Sequence, residues 1–152
     1  MRIRRRPLRL AFTDVEAQLL TGLLDDLGTL LAAEDADDPV QQRLFPAAYP
    51  DDGDAEAEYR GLTESSLRDE RVERIAACVA ELARDATVTL GGEDVSRRWL
   101  QVLNDLRLAL GTRLGVTEEP PAIDPTDPEA QPWLIYDWLT GVQDAVVTAL
   151  MR

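Results

Sequence analysis

Aliphatic residues in this chain recur three and four positions apart over four long stretches, a spacing that only an α-helix gathers onto one face. In segment 66–84 the stripe is Val72, Ile75, Ala76, Val79, Leu82 and Ala83, with offsets of 0, 3, 4, 7, 10 and 11. Segment 14–33 carries Val15, Leu19, Leu23, Leu27 and Leu30, widened by Leu20, Leu24 and Leu31. Segment 94–114 carries Val95, Trp99, Val102, Leu103, Leu106 and Leu110, with Leu100 and Leu108 on its other side. Being apolar over much of its circumference, it is expected to be the central helix. Segment 132–150 carries Ile135, Trp138, Leu139, Val142, Val146, Ala149 and Leu150. The expected fold is therefore mainly α, with four principal helices around one core.

Local signals set the boundaries. Thr13 followed by Glu16 three residues later is a capping box opening the first helix. In DPVQQRLF, Asp38 caps a short turn with Pro39 at its first helical position. A helical segment begins near Asp54 and carries Tyr59 and Leu62; Gly61 is expected to bend or end it, with Thr63 or Ser65 capping the next helix. Glu93 and Asp94 suit the positive end of the following helix, and Gly115 suits its left-handed stop. Residues 3–12 end in the alternating LRLAF at 8–12, and TVTL occupies 87–90, so a short two-stranded β element is expected there. The whole of 1–152 is one domain by length, with a basic arm at 1–7, an acidic loop at 34–54 and a connector at 116–132 holding five of the nine prolines.

The inventory limits the chemistry more than any motif does. All sixteen basic residues are arginine, there is no histidine, and there is one cysteine. Without His the usual neutral-pH base and commonest metal ligand are missing, and without Lys there is no Schiff base and no P-loop lysine. Ser-His, Cys-His and Cys-rich zinc chemistry are excluded outright. Carboxylates alone can do acid–base work, but no pair of them marks a pocket, so a non-enzyme with no cofactor and no resident metal is expected. The densest acid run, DDGDAEAE at 51–58, fails the EF-hand register: counting from Asp52, position six is Ala57 and position twelve is Thr63. It reads as a solvated loop feeding acids into a helix start.

Charge is unevenly spread. Residues 1–13 carry five Arg and no acid; the remainder holds eleven Arg against 29 acids, a net −18. Such a body repels nucleic acid and anionic membrane over a Debye length of about 8 Å. Only the arm Arg2, Arg4, Arg5, Arg6 and Arg9 has the charge to attract a phosphate backbone, and the same arginines also suit a solvated edge strand protected from aggregation. The arm lacks the apolar stretch of a secretory signal, and no run approaches the ~18 apolar residues of a membrane span. A cytoplasmic protein with no membrane contact is expected.

Four further positions carry alternatives. Cys78, on the flank of its stripe, is a redox-sensing thiol if accessible and a small semi-buried apolar residue if not. Arg113 falls near the centre of its helix stripe, so it either binds an anion, with Arg107, or pairs with Asp137 or Asp144 on the last helix. Trp133, Tyr136, Thr140 and Val147 make a second stripe on that helix. It either buries against the proline-rich connector or forms a contact surface for a protein partner or a second copy in a homodimer.

WLQVLNDLRLALGTRLG at 99–115, WLIYDWLTGVQDAVV at 133–147, RLFPAAYPDD at 43–52 and EYRGLTESSLR at 58–68 together resemble an actinobacterial family of unknown function, numbered two-thousand-and-seventeen. The resemblance covers nearly the whole chain, in the family's order. Some members are called oxidative stress transcriptional regulators, so the resemblance implies a regulatory, redox-linked role. It carries no catalytic residues over. A disulfide switch within one chain needs two cysteines, so any thiol switch through Cys78 is intermolecular or runs through sulfenic acid. The alternative to a DNA-acting regulator is a protein-binding adaptor that makes no nucleic-acid contact.

Overall fold

The computed structural model describes residues 8–35, 37–46, 51–115, 124 and 126–151. Along them lie β1 (Leu8–Ala11), α1 (Asp14–Ala32), α2 (Pro39–Leu44), α3 (Gly53–Arg84), β2 (Thr87–Leu90), α4 (Glu93–Leu114), a 3-10 turn (Pro128–Ala130) and α5 (Gln131–Leu150). The molecule is mainly α with one small sheet. Arg2, Arg4, Arg5 and Arg6 lie outside the described residues.

The strands pair antiparallel, Leu8 opposite Leu90 and Leu10 opposite Val88, so the leucines of LRLA turn toward the core while Arg9, opposite Thr89, is exposed. The expected strand end at Phe12 comes one residue early, although its amide still donates to the Ala86 carbonyl at 3.0 Å.

The capping box forms as expected: Thr13 N–H donates to Glu16 Oε1 at 2.9 Å, and Glu16 N–H to Thr13 Oγ1 at 3.1 Å. The other oxygen, Glu16 Oε2, accepts from Trp138 Nε1 at 3.1 Å, which ties α5 to the start of α1. α4 is the central helix, touching α1, α2, α3, α5 and β2. Trp99, Val102 and Leu103 are fully buried on it, and it stops at Gly115 with φ 68°.

Two faces differ from their sequence stripes by a rotation. On α1 the buried line is Leu20, Leu24, Leu27 and Leu31, while Val15 is exposed. On α3 it is Arg68, Ile75, Cys78 and Leu82, while Ala76 and Ala83 are exposed. Each helix lies against more than one neighbour, and the neighbours choose which flank of a broad stripe is covered.

Gly61 does not end a helix, for α3 runs unbroken over 32 residues, about 48 Å at 1.5 Å per residue. A mid-helix glycine costs about 1 kcal/mol. Of the linked pairs Glu56–Arg60 (2.8 Å), Arg60–Glu64 (3.2 Å) and Glu64–Arg68 (2.9 Å), the middle one spans the glycine and the others flank it, each returning about 0.2–0.5 kcal/mol. Thr63 does not cap: its hydroxyl donates back to the Tyr59 carbonyl at 2.7 Å.

Candidate functional site

The acid run opens α3. Asp52 is its N-cap, accepting from Ala55 N–H at 3.1 Å, with Asp54 and Glu56 in the first turn, where the helix dipole favours negative charge. Among the described residues no group of three or more His, Cys, Asp or Glu side chains is placed to hold a metal ion.

Cys78 is wholly buried. Burial pushes its thiol up to about 12, and the nearby Arg98 guanidinium only partly offsets this. A reactive thiol needs access and a lowered pKa; the burial and raised pKa of Cys78 match instead a small apolar core residue. Its position three residues after Ile75 and four before Leu82 puts it in the centre of the buried line rather than on the flank. Beside it Glu81 accepts from Arg98 through Oε1 and from Trp99 Nε1 through Oε2, the latter at 3.0 Å.

Arg113 does not reach Asp137 or Asp144, both of which are exposed on α5. It donates to Asp38 Oδ2 at 2.7 Å, and its side chain stays 48% exposed. The last turn of α4 lies beside the start of α2, so the acid that Arg113 pairs with is the α2 cap. The Arg113 guanidinium holds the Asp38 carboxyl below the usual range, aided by the amides of Gln41 and Val40.

The second stripe of α5 is divided by its surroundings. Trp133, Tyr136 and Thr140 are half-buried and Val147 is exposed. Thr140 spends its hydroxyl on the Tyr136 carbonyl at 3.1 Å. The Tyr136 ring lies 5.3 Å from the guanidinium of Arg107, which reaches over from α4 and also donates to Gln143 Oε1.

A buried polar layer lies where α1, α2, α3 and α4 meet, with no counterpart in the sequence expectations. Arg68 donates to the Leu31 carbonyl, to Gln41 Oε1 at 2.7 Å and to Glu64 Oε1 at 2.9 Å, with its guanidinium 4.5 Å over the Phe45 ring. Gln41 Nε2 donates to the Leu30 carbonyl at 2.9 Å. α1 has no basic residue in its last turn, so side chains from α2 and α3 satisfy carbonyls that a helix end leaves open. One turn along α3, Arg71 pairs with Asp105, which is buried in α4. Desolvation raises the Asp105 pKa against the opposing attraction of Arg71. The signal for this layer was present: Asp105 stands three residues from Val102 and four from Ala109, and Arg68 stands seven before Ile75, so both polar residues fall on buried lines.

No helix among the described residues is long and apolar enough to cross a membrane. Residues 1–150 match the family described as Domain of unknown function (DUF2017). The chain belongs to this family. Among its relatives, the oxidative stress regulator AosR of Mycobacterium tuberculosis (strain ATCC 25618 / H37Rv) is 33% identical over 133 residues, covering 75% of this chain and 59% of that protein. The protein of the same name from Mycobacterium bovis (strain ATCC BAA-935 / AF2122/97) gives the same figures. A relative from Mycobacterium leprae (strain TN) is 31% identical over 133 residues, covering 78% of this chain and 61% of its own. The chain thus spans about three-fifths of the length of the curated relatives it matches. No solved structure matches it.

Proposed function

We propose that this DUF2017 chain is a non-enzymatic regulatory protein of the oxidative-stress response, acting on transcription through a protein partner. The observation that carries this is its likeness to proteins named oxidative stress regulators, at 33% identity over 133 residues. The chemistry of the chain supports the non-enzymatic part: it has no histidine, no lysine and a single, buried cysteine. The buried thiol also directs the reading toward partner binding, since the domain's own cysteine is poorly placed to sense an oxidant.

DNA contact, under this reading, is confined to the arm of Arg2, Arg4, Arg5, Arg6 and Arg9, because the remainder carries −18. Five arginines neutralise at most about five phosphates, so log K against log salt should be no steeper than about −4.5. The second reading, an adaptor that never touches nucleic acid, rests on that same charge. Titration onto duplex DNA at several salt concentrations separates the two, comparing the full chain with a truncation that begins at Pro7 and carries Arg9→Ala. Loss of binding in the truncation supports the arm; equal binding by both forms removes it. If neither form binds, the adaptor stands. Capture from native lysate under reducing and oxidising conditions tests the shared part: recovery of transcription or proteolysis components supports a regulatory role, and recovery of no specific protein counts against it.

A further inference from the structure

We infer that the cleft between α2, the last turns of α4 and the first turns of α5 is a binding site for a small organic anion, its carboxylate or phosphate held by Arg43 and Arg107. The cleft has a volume of about 390 Å³ and is walled by Leu108, Thr112 and Tyr136 besides the two arginines. That is the lower part of the range for small-ligand sites, and the mixture of an apolar wall with a few convergent polar groups is typical of them.

The electrostatics single this cleft out. The chain carries 29 acids, and six of its eleven described arginines, at positions 60, 68, 71, 97, 98 and 113, sit in ion pairs with them. Arg43 and Arg107 are not among the six; Arg9, Arg74 and Arg84 are not either, but this cleft alone among the described ones is lined by two such arginines. Arg107 is held instead by neutral groups, the Gln143 side-chain amide and the face of the Tyr136 ring, and its Nε is buried with no hydrogen-bond partner among the described residues. Asp144, next in sequence to Gln143, is exposed and forms no ion pair with it. The helix dipole does not account for this arrangement. Arg43 does lie in the last turn of α2, where a cation is favoured, but Arg107 lies well inside α4, beyond the first or last turn where that effect is felt. A guanidinium fixed in orientation, with no carboxylate partner among the described residues and a second arginine lining the same cleft, is a preorganised fork for a carboxylate or phosphate. Tyr136 and Leu108 offer the apolar surface for the rest of the ligand.

The inference is independent of the regulatory reading, since it concerns ligand chemistry alone, and the two fail separately. Titration calorimetry with phenyl phosphate and with benzoate, at ionic strength fixed by sodium chloride, tests it on the full chain. Saturable binding of either probe with a Kd of about 1 mM or tighter is expected. Arg43→Gln, a change at an exposed side chain, should weaken it by at least about tenfold, as loss of a charged hydrogen bond does. Arg107→Gln should do the same, with circular dichroism confirming that the variant is folded. No saturable binding of either probe overturns the inference, as does equal binding by wild type and Arg43→Gln. So does an acidic peptide that binds where neither small anion does.

Discussion

Asp38 joins two parts of the chain 75 residues apart, because its Oδ2 accepts from Arg113 at 2.7 Å while its Oδ1 accepts from the Val40 amide at 2.8 Å and the Gln41 amide at 3.2 Å. One carboxylate thus caps α2 and fastens that helix to the end of α4. The two duties differ in value. The Arg113 side chain is 48% exposed, so Arg113→Ala should cost about 0.2–1 kcal/mol, the range for exposed pairs. Asp38→Ala loses the cap too and should cost about 1–2 kcal/mol. Urea unfolding of both variants measures the difference, and a loss of about 3–5 kcal/mol for Arg113→Ala would instead mean a buried pair.

Asp105 gives a pH prediction of definite sign. Its native pKa is raised by burial, so the folded state holds the proton more tightly than the unfolded one. Its contribution is fully present below the unfolded value, about 3.9, and is lost as pH rises through the native value. The stability of wild type relative to Asp105→Asn should therefore fall as pH rises above about 4. Unfolding both proteins across that range provides the check; a gap that widens with pH would show that attraction to Arg71 outweighs desolvation. Asp38 works in the opposite sense, since its lowered pKa gives stability that is present above its unfolded value and lost as pH falls through the native one.

Cys78 should be chemically silent in the native state. With its pKa at about 12, its thiolate fraction at neutral pH is about a thousandfold below that of a free cysteine. Alkylation by iodoacetamide should become fast only in urea, and peroxide should leave the folded thiol unmodified by mass spectrometry. Rapid labelling of the native chain would restore the thiol-sensor alternative.

Self-association through α5 is predicted for the stripe surface that the described residues leave uncovered. Val147 is exposed and Trp133 half-buried, and the commonest closed arrangement for such a face is a two-fold dimer. Sedimentation at micromolar concentrations should show a dimer for wild type and a monomer for Trp133→Asp. A monomeric wild type would leave the face to a different protein.

Much of the architecture was legible from residues close together in sequence. The Thr13–Glu16 box, the Asp38–Pro39 start of α2 and the Gly115 stop each involve groups within about one helical turn, so chemistry at that range decides them. The two strands were legible as well, since LRLA and TVTL each place a residue with a core-facing side chain at every second position. The expected helix end at Gly61 was misjudged because the run of pairs Glu56–Arg60, Arg60–Glu64 and Glu64–Arg68, the middle one spanning the glycine, offsets a propensity cost of only about 1 kcal/mol.

By itself, then, the sequence determined which segments are helical, where most of them start and stop, and which chemistries are excluded by the absence of histidine and lysine. Only the tertiary structure decided which flank of each apolar stripe is buried, that Cys78 lies in the core, that Arg113 meets Asp38, and that Arg107 lies over Tyr136 beside a cleft. The physical reason is one of range. Helix periodicity and caps depend on neighbours along the chain, whereas a side chain's burial, pKa and ionic partner depend on which helix packs against it, and a stripe broad enough to face two neighbours leaves that choice open.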